Sequence, residues 1–461
     1  MTASTKTGAA EGTDAGTAAA PVPAVPALDA DALLDDQDIR IVVCCGSGGV
    51  GKTTTAAALG VRAAERGRKV VVLTIDPARR LAQSMGIDSL DNIPRRVPGI
   101  DGEGAGELHA MMLDMKRTFD EIVEAHADGD RARAILENPF YQSLSAGFAG
   151  TQEYMAMEKL GQLRARNEWD LIIVDTPPSR SALDFLDAPK RLGSFLDGKF
   201  IKLLMAPAKM GGRAGMKFLN VGMSMMTGTL GKLLGGQFLR DVQTFVAAMD
   251  TMFGGFRTRA DATYKLLQAP GTAFLVVATP ERDALREAAY FVERLAAEEM
   301  PLAGLVLNRV HGSGAARLSA ERALAAAENL DDIGIVDQTA GKAGLRDPDG
   351  SAVTSPEDPE SPLSPARSAQ TEDPEHEPAS EPEPEAEAVS VEQLTAGLLR
   401  LHAERMQVVA REQRTRDRFT ALHPEVAVTE VAALPGDVHD LAGLRAIGDR
   451  LATGSAPAGA A

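Results

Sequence analysis

A glycine-rich loop between an apolar strand and a helix is the feature that most constrains the fold. The loop and the two residues after it read GSGGVGKT and match the pattern G-x-x-x-x-G-K-[ST]. The preceding run, Ile39–Cys45, is continuously apolar and rich in β-branched residues, which is typical of a strand buried on both faces of a parallel sheet. A helix is expected over Lys52–Arg66, with Gly67 in a left-handed conformation at its end.

This pattern of strand, loop and helix predicts a binding site for the phosphates of a nucleotide. Glycines let successive backbone N–H groups surround a phosphate without Cβ clashes, and the helix N-terminus adds partial positive charge. Lys52 is expected to reach the β- and γ-phosphates, and the Thr53 hydroxyl is expected to bind Mg²⁺. The predicted binding residues are Gly46, Ser47, Gly48, Gly49, Val50, Gly51, Lys52, Thr53 and Thr54.

Asp175 is predicted to complete the magnesium site. It comes directly after the apolar run Leu171–Val174, which reads as another strand. A carboxylate at this position would hold Mg²⁺ together with Thr53. The alternative is an aspartate that caps a helix after a strand, which is common in isolation. The presence of the glycine-rich loop in the same chain favours the metal-binding interpretation.

Asp76 is the second aspartate at a predicted strand end. It follows the run Lys69–Ile75, the strand after the loop's helix, at the sheet edge where the phosphates would lie. Its predicted catalytic role is to orient the attacking water, while Lys52 stabilises charge on the phosphates. The alternative interpretation is a simple Asp-Pro turn, because Pro77 comes next.

Strands and helices alternate along the chain, which predicts an α/β fold with a doubly wound, mainly parallel sheet. Ala273–Ala278 and Leu302–Val310 are further predicted strands, with a helix over Arg282–Glu299 between them. Two insertions, at residues 108–165 and 189–268, are predicted to be mostly helical, and the second is a subdomain rich in Met and Gly. Residues 389–455 are expected to complete the core with the helix Val391–Leu422, the strand Val426–Ala433 and the helix Leu441–Leu451.

The net charge of −17 lies outside the predicted core. The chain has 461 residues, with 48 Lys and Arg against 65 Asp and Glu. Residues 346–388 carry 13 acids, 2 bases and 9 of the 26 prolines, and residues 1–38 carry 7 acids and 1 base. Both compositions predict disorder, as an acidic linker and a tail. Together they account for the whole net charge, so the predicted core, residues 39–345 with 389–455, is electrically balanced.

Composition also excludes several classes of function. Because Lys and Arg are not in excess, the chain is not expected to bind nucleic acid. It contains no apolar stretch of about 18 residues, so no transmembrane segment is expected. Cys44 and Cys45 are the only cysteines and are adjacent on a strand, so they cannot form a CxxC metal or redox site. These features indicate a cytoplasmic protein, with peripheral attachment to a membrane left open.

The segments GSGGVGKTT, TIDPA and VDTPPS, in this order, resemble the ArsA family of deviant Walker-A P-loop ATPases. That family includes arsenite-pump ATPases and the ATPases that target tail-anchored membrane proteins. The resemblance covers residues 39–345 and 389–455, and it implies a P-loop NTPase fold with ATP as the nucleotide and Mg²⁺ as the metal. It also implies that Asp76 lies in switch I, that Asn308 contacts adenine, and that Pro435 lies in a loop bordering adenine.

One departure from the family pattern bears on catalysis. The family's loop reads GKGGVGK, and its first lysine crosses a dimer interface to the partner's phosphate, whereas this chain has Ser47. Loss of such a charge typically costs orders of magnitude in rate. Three explanations stay open: slow hydrolysis, substitution by another Lys or Arg, or pairing with an ArsA-like paralogue that retains the lysine. A homodimer or a heterodimer is therefore expected, and the paralogue is favoured.

Two hypotheses about function follow, an ATPase with a conformational cycle and an ATP-gated binding or scaffold subunit with weak hydrolysis. Of the 17 methionines, 8 lie between Met205 and Met252, and flexible thioethers suit promiscuous hydrophobic grooves. The resemblance implies a hydrophobic or membrane-protein client for such a helical subdomain. Alternatively, these methionines fill an irregular core or a dimer contact. Arsenite transport is not expected, because trivalent arsenic needs thiolate ligands that the family's transporters have and this chain lacks.

Overall fold

The computed structural model describes residues 26–76, 80–102, 104–144, 151–177, 258–340 and 390–454, together with positions 241, 244, 245, 255 and 256. They fall into two compact units. The first comprises Met1–Gly312 with Val409–Ala461, and the second comprises Ser313–Val408. The predicted acidic linker lies outside the described residues. So does the part of the insertion from 189 to 257, apart from the five single positions just named.

The first unit is built on a mainly parallel sheet. Its described strands are β1 (Ile41–Cys45), β2 (Lys69–Thr74), β3 (Arg95–Arg96), β4 (Glu107–Met112), β5 (Leu171–Asp175), β6 (Thr272–Ala278), β7 (Leu302–Val310) and β8 (Val428–Ala432). Their order across the sheet is β3-β4-β2-β5-β1-β6-β7-β8, and only the pair of β3 and β4 is antiparallel. The predicted parallel α/β fold is confirmed.

The central strands of this sheet are buried on both sides, because apolar layers cover both of its faces. Neighbouring side chains of β1 point to opposite layers, so Cys44 packs in one and Cys45 in the other. The helix Lys52–Glu65 lies on the Cys44 face. The helices Thr151–Arg166 and Arg282–Ala297 cover the Cys45 face. Helices on both faces are what a doubly wound fold requires.

The remaining helices are distributed between the two units. Those of the first unit are Ala30–Asp35, Arg80–Ser84, Met115–His126, Gly129–Leu136, Pro139–Leu144 and Leu441–Thr453. Residues 258–268 are also helical. The second unit contains the helix Ala320–Ala340 and the first part of the helix Val391–Leu422, up to Val408. The bounds of the helix Val391–Leu422 agree with the prediction. Within this unit Arg400 forms an ion pair with Asp331.

The tail that the sequence predicts to be disordered through residue 38 is folded from residue 26. Ala30–Asp35 is a helix that begins after Asp29, whose side chain accepts a hydrogen bond from the Ala32 amide. Leu34 is fully buried, and the Arg68 guanidinium donates to its carbonyl oxygen at 2.9 Å. The predicted boundary is wrong because composition averaged over a long Ala- and Pro-rich segment hides a short apolar run at its end.

The prediction for residues 108–165 also needs correction, because this segment begins in a strand. β4 reads ELHAMM, and most of these residues favour helices over strands. The strand nevertheless forms because it pairs along its whole length with β2 and buries Leu108, Ala110 and Met111. Tertiary pairing therefore overrides local propensity here. Helices follow from Met115, as predicted.

Candidate nucleotide-binding site

The glycine-rich loop lies where β1 meets the helix Lys52–Glu65, at the carboxyl edge of the sheet. Two of its glycines have no room for a side chain. Gly46 has a φ of +146°, and a Cβ atom there would lie 2.1 Å from the backbone oxygen of Val277 in β6. Gly51 has a φ of +96°, and its Cβ would lie 2.2 Å from the Asn308 side-chain nitrogen. A side chain at Gly46 would therefore require the backbone of β6 to move, and Gly51 has a φ that residues with side chains rarely adopt.

Lys52 begins the helix, and its side chain lies back along the loop. The residue is only 5% exposed, and its Nζ donates to the Ser47 carbonyl oxygen at 2.8 Å. Burial lowers the pKa of Lys52, whereas the negative charges of Asp175 and Asp76 oppose this. The ammonium group is therefore held inside the loop among backbone groups. Phosphate oxygens would be stronger partners for it than a neutral carbonyl.

Two threonine hydroxyls converge on one oxygen of Asp175. Thr53 Oγ1 donates to Asp175 Oδ2 at 2.7 Å, and Thr74 Oγ1 donates to the same atom at 2.9 Å. Burial raises the pKa of Asp175 to about 6, although both hydroxyl bonds act to lower it. The structure thus joins Thr53 and Asp175, as the sequence predicts. It adds Thr74, which sequence reasoning missed.

The other carboxylate oxygen of Asp175 indicates how a cation would fit. Asp175 Oδ1 is buried and has no hydrogen-bond partner among the described residues. A buried, unpartnered carboxylate oxygen is costly unless something else satisfies it. Together with the Thr53 hydroxyl it offers only oxygen ligands, which Mg²⁺ prefers. The residues present therefore fit the magnesium ion that the loop motif implies.

Asp76 follows β2 and lies beside this cluster. Its backbone N–H donates to Thr74 Oγ1 at 3.2 Å, so a single threonine side chain contacts both aspartates. The Asp76 carboxylate is close enough that its charge contributes to the pKa of Lys52 and of Asp175, after the larger effects of burial. The residues that follow these two aspartates at 77–79 and 178–180 lie outside the described residues.

Asn308 reaches the loop from β7. Its Nδ2 donates to the Val50 carbonyl oxygen at 2.8 Å, and its Oδ1 accepts from the Arg309 amide at 2.9 Å. Arg309 has a φ of +59°, and the pairing of β7 with β8 shifts register at this point. This bulge redirects the end of β7 beside the loop. Pro435 lies exposed three residues beyond β8, at the same edge of the sheet.

These features define a class of protein. A glycine cradle leads into a helix, its lysine lies within the loop, and a Thr–Asp pair marks the carboxyl edge of a parallel sheet. This is the architecture of a P-loop nucleoside triphosphatase.

Comparison with known proteins assigns the chain within that class. The family model described as anion-transporting ATPase matches residues 39–322, which is more than half of the chain. The chain therefore belongs to the anion-transporting ATPase (ArsA) family.

Individual relatives carry consistent names. A protein of Malassezia globosa named ATPase GET3 is 29% identical over 160 residues, covering 35% of this chain and 45% of that protein. An ATPase GET3 of Podospora anserina is 26% identical over 284 residues, covering 60% and 75% respectively. An ATPase ASNA1 homolog of Entamoeba dispar is 29% identical over 180 residues, covering 39% and 54%. The match thus spans less than half of the first relative's length.

Proposed function

We propose that this protein is a Mg²⁺-dependent ATPase that uses ATP binding and hydrolysis to drive a conformational cycle. The observation that carries this proposal is the cluster at Asp175, where two hydroxyls hold one carboxylate oxygen and the other is buried without a hydrogen-bond partner among the described residues. A purely structural aspartate would be expected to have both oxygens satisfied. A metal-binding aspartate needs one oxygen available.

The proposed roles follow from the positions of the side chains. Lys52 and the loop amides stabilise charge on the phosphates, and the Thr53 hydroxyl and Asp175 hold the metal. Asp76 orients a water molecule for in-line attack on the γ-phosphate. When bound, Mg²⁺ would neutralise charge that develops on the phosphate oxygens. The resemblance to the family implies that Asn308 and Pro435 border the base, and the position of both at the edge of the sheet where the loop lies supports this.

Ser47 supports a second candidate function. The side chain carries no charge, so a chain of this sequence cannot supply a lysine from that position to a partner's phosphate. An ATP-gated binding or scaffold subunit with weak hydrolysis, paired with a paralogue that retains the lysine, would tolerate this serine. A homodimer that hydrolyses slowly is the other arrangement. Intact Lys52, Asp76 and Asp175 favour the ATPase.

A hydrophobic or membrane-protein client is proposed in preference to arsenite. Both cysteines of the chain are fully buried within β1. Burial raises the pKa of Cys44 and raises that of Cys45 to about 12, so neither thiol readily forms the thiolate that a soft ion needs. Among the described residues, no helix is both long and apolar enough to cross a membrane.

Hydrolysis by the purified chain distinguishes the two candidate functions. ATP turnover should be measured for the wild-type chain and for Ser47→Lys, which restores the missing charge. Brisk turnover by the wild-type chain alone would count against a required partner. Slow turnover that rises in the variant would support the scaffold role and a missing charge in trans. In cells, Asp76→Asn should hold the ATP-bound complex, and a co-purified paralogue with the GKGGVGK loop would identify the partner.

A further inference from the structure

A side chain far from the loop in sequence holds the backbone beside Asp76. Gln152 Nε2 donates to the Ile75 carbonyl oxygen at 2.9 Å. That carbonyl belongs to the peptide group that joins Ile75 to Asp76, and the N–H of the same group donates to Thr74 Oγ1 at 3.2 Å. Both ends of one peptide group are thus held, which fixes its plane and the direction in which Asp76 leaves β2.

The adjacent peptide group is held as well. The Ile75 N–H donates to the Asp175 carbonyl oxygen at 3.0 Å, which continues the pairing of β2 with β5. The two peptide groups that precede Asp76 in the chain are therefore both held by hydrogen bonds. Of the contacts that fix them, those from Thr74 and Asp175 come from the sheet itself. Among the described residues, Gln152 alone contributes such a contact from a helix outside the sheet.

Gln152 lies in the first turn of the helix Thr151–Arg166, which is anchored elsewhere by buried polar groups. Arg259 Nε donates to Glu158 Oε1 at 2.6 Å, and the Glu158 side chain is only 3% exposed. The Tyr154 hydroxyl lies 2.9 Å from Glu158 Oε2 and 3.1 Å from the Phe256 carbonyl oxygen. Breaking such a buried pair leaves an uncompensated charge, so this helix resists displacement from Phe256 and Arg259.

Close packing one turn further on reinforces this anchorage. A Cβ atom at Gly161 would lie 2.7 Å from Thr263 Oγ1, so the helix approaches residues 258–268 closely. The helix that carries Gln152 is therefore held by Phe256, Arg259 and Thr263 as well as by its packing on the sheet. A displacement of this helix would change the hydrogen bond from Gln152 to the Ile75 carbonyl oxygen.

We propose that Gln152 is a positioning residue for Asp76. It holds the Ile75–Asp76 peptide group and so fixes the direction of the carboxylate that orients the water. The rate of hydrolysis therefore depends on the position of the helix Thr151–Arg166. This inference rests on the role proposed above for Asp76. The contact must use the amide NH₂ of Gln152, because only a donor can pair with a carbonyl oxygen.

Removing the donor while keeping the shape tests the inference. Gln152→Met preserves length and packing but has no N–H, and Gln152→Glu places an acceptor against the carbonyl. Single-turnover hydrolysis, with full-length protein in excess over labelled ATP, gives the rate constant for the chemical step. ATP affinity is measured separately at equilibrium. The matched control is Gln162→Met on the same helix, almost three turns away.

The expected result is a selective loss of rate. Misplacing a catalytic group by a fraction of an ångström should slow hydrolysis on the order of 10-fold to 100-fold in both variants. ATP affinity should stay within about 3-fold, because binding rests on the loop and Lys52. The control should keep both. Unchanged hydrolysis in both variants would overturn the inference, as would rate and affinity falling together, which indicates a structural role. No ATP binding by the wild-type chain would instead sink the proposed function itself.

Discussion

Replacing Thr74 by Val should destabilise the protein more than loss of an ordinary buried threonine hydroxyl. Thr74 is 1% exposed and lies between two aspartates, donating to Asp175 Oδ2 and accepting from the Asp76 amide. A hydrogen bond to a charged group contributes about 1.5–3 kcal/mol and a neutral one about 0.5–1.5 kcal/mol. Valine keeps the β-branched shape, so the expected loss is about 2–4.5 kcal/mol of unfolding free energy, almost entirely from the two hydrogen bonds.

Thr429→Val provides the matched control. Thr429 is 2% exposed in β8, and its hydroxyl donates only to the neutral Leu451 carbonyl oxygen at 3.3 Å. Its loss should cost about 0.5–1.5 kcal/mol. Both variants are compared by urea unfolding without nucleotide, at neutral pH, where the Asp175 carboxylate is mostly ionised. If Thr74→Val costs no more than Thr429→Val, the hydroxyl does not stabilise a charged Asp175, and the account of the cluster is wrong.

Three further predictions concern the loop and the linker. Gly51→Ala should abolish ATP binding in a direct binding assay, because a Cβ would collide with the Asn308 side chain at a φ that alanine rarely adopts; retained affinity would contradict the described loop. Ser47→Lys should raise ATP turnover about tenfold or more if the missing charge limits the rate, and an unchanged rate would argue against that cause. Deleting residues 350–387 should leave ATP affinity intact, and its loss would show that the linker belongs to the nucleotide site.

The strongly patterned parts of the fold were predictable from the sequence. β1, β5 and β6 are continuous apolar runs buried on both faces, and each ends at the edge where the loop lies. Asp175 could be assigned because it directly follows such a run. By contrast, β4 is composed of residues that favour helices, and it exists because β2 offers a parallel partner. Pairing between segments distant in sequence is not encoded in either segment's composition.

Thr74 and Gln152 were not predicted as site residues because their contacts depend on segments that are distant in sequence. Thr74 stands two residues before Asp76, but only the pairing of β2 with β5 places it opposite Asp175. A threonine at the end of the strand next to a metal-binding strand is a signal that could have been used. Gln152 is separated from Ile75 by 77 positions, and its contact depends on a helix anchored by Glu158 and Arg259. No local pattern marks it.

The most direct test of the central claim is the Mg²⁺ dependence of ATP hydrolysis by the wild-type chain and by Asp175→Asn. Wild-type turnover is expected to saturate with Mg²⁺ and to disappear with a chelator. The variant, whose carboxylate oxygen is replaced by an amide, should need on the order of 10-fold more Mg²⁺ or more. An identical Mg²⁺ dependence in the two proteins would contradict the claim that Thr53 and Asp175 form the metal site of this ATPase.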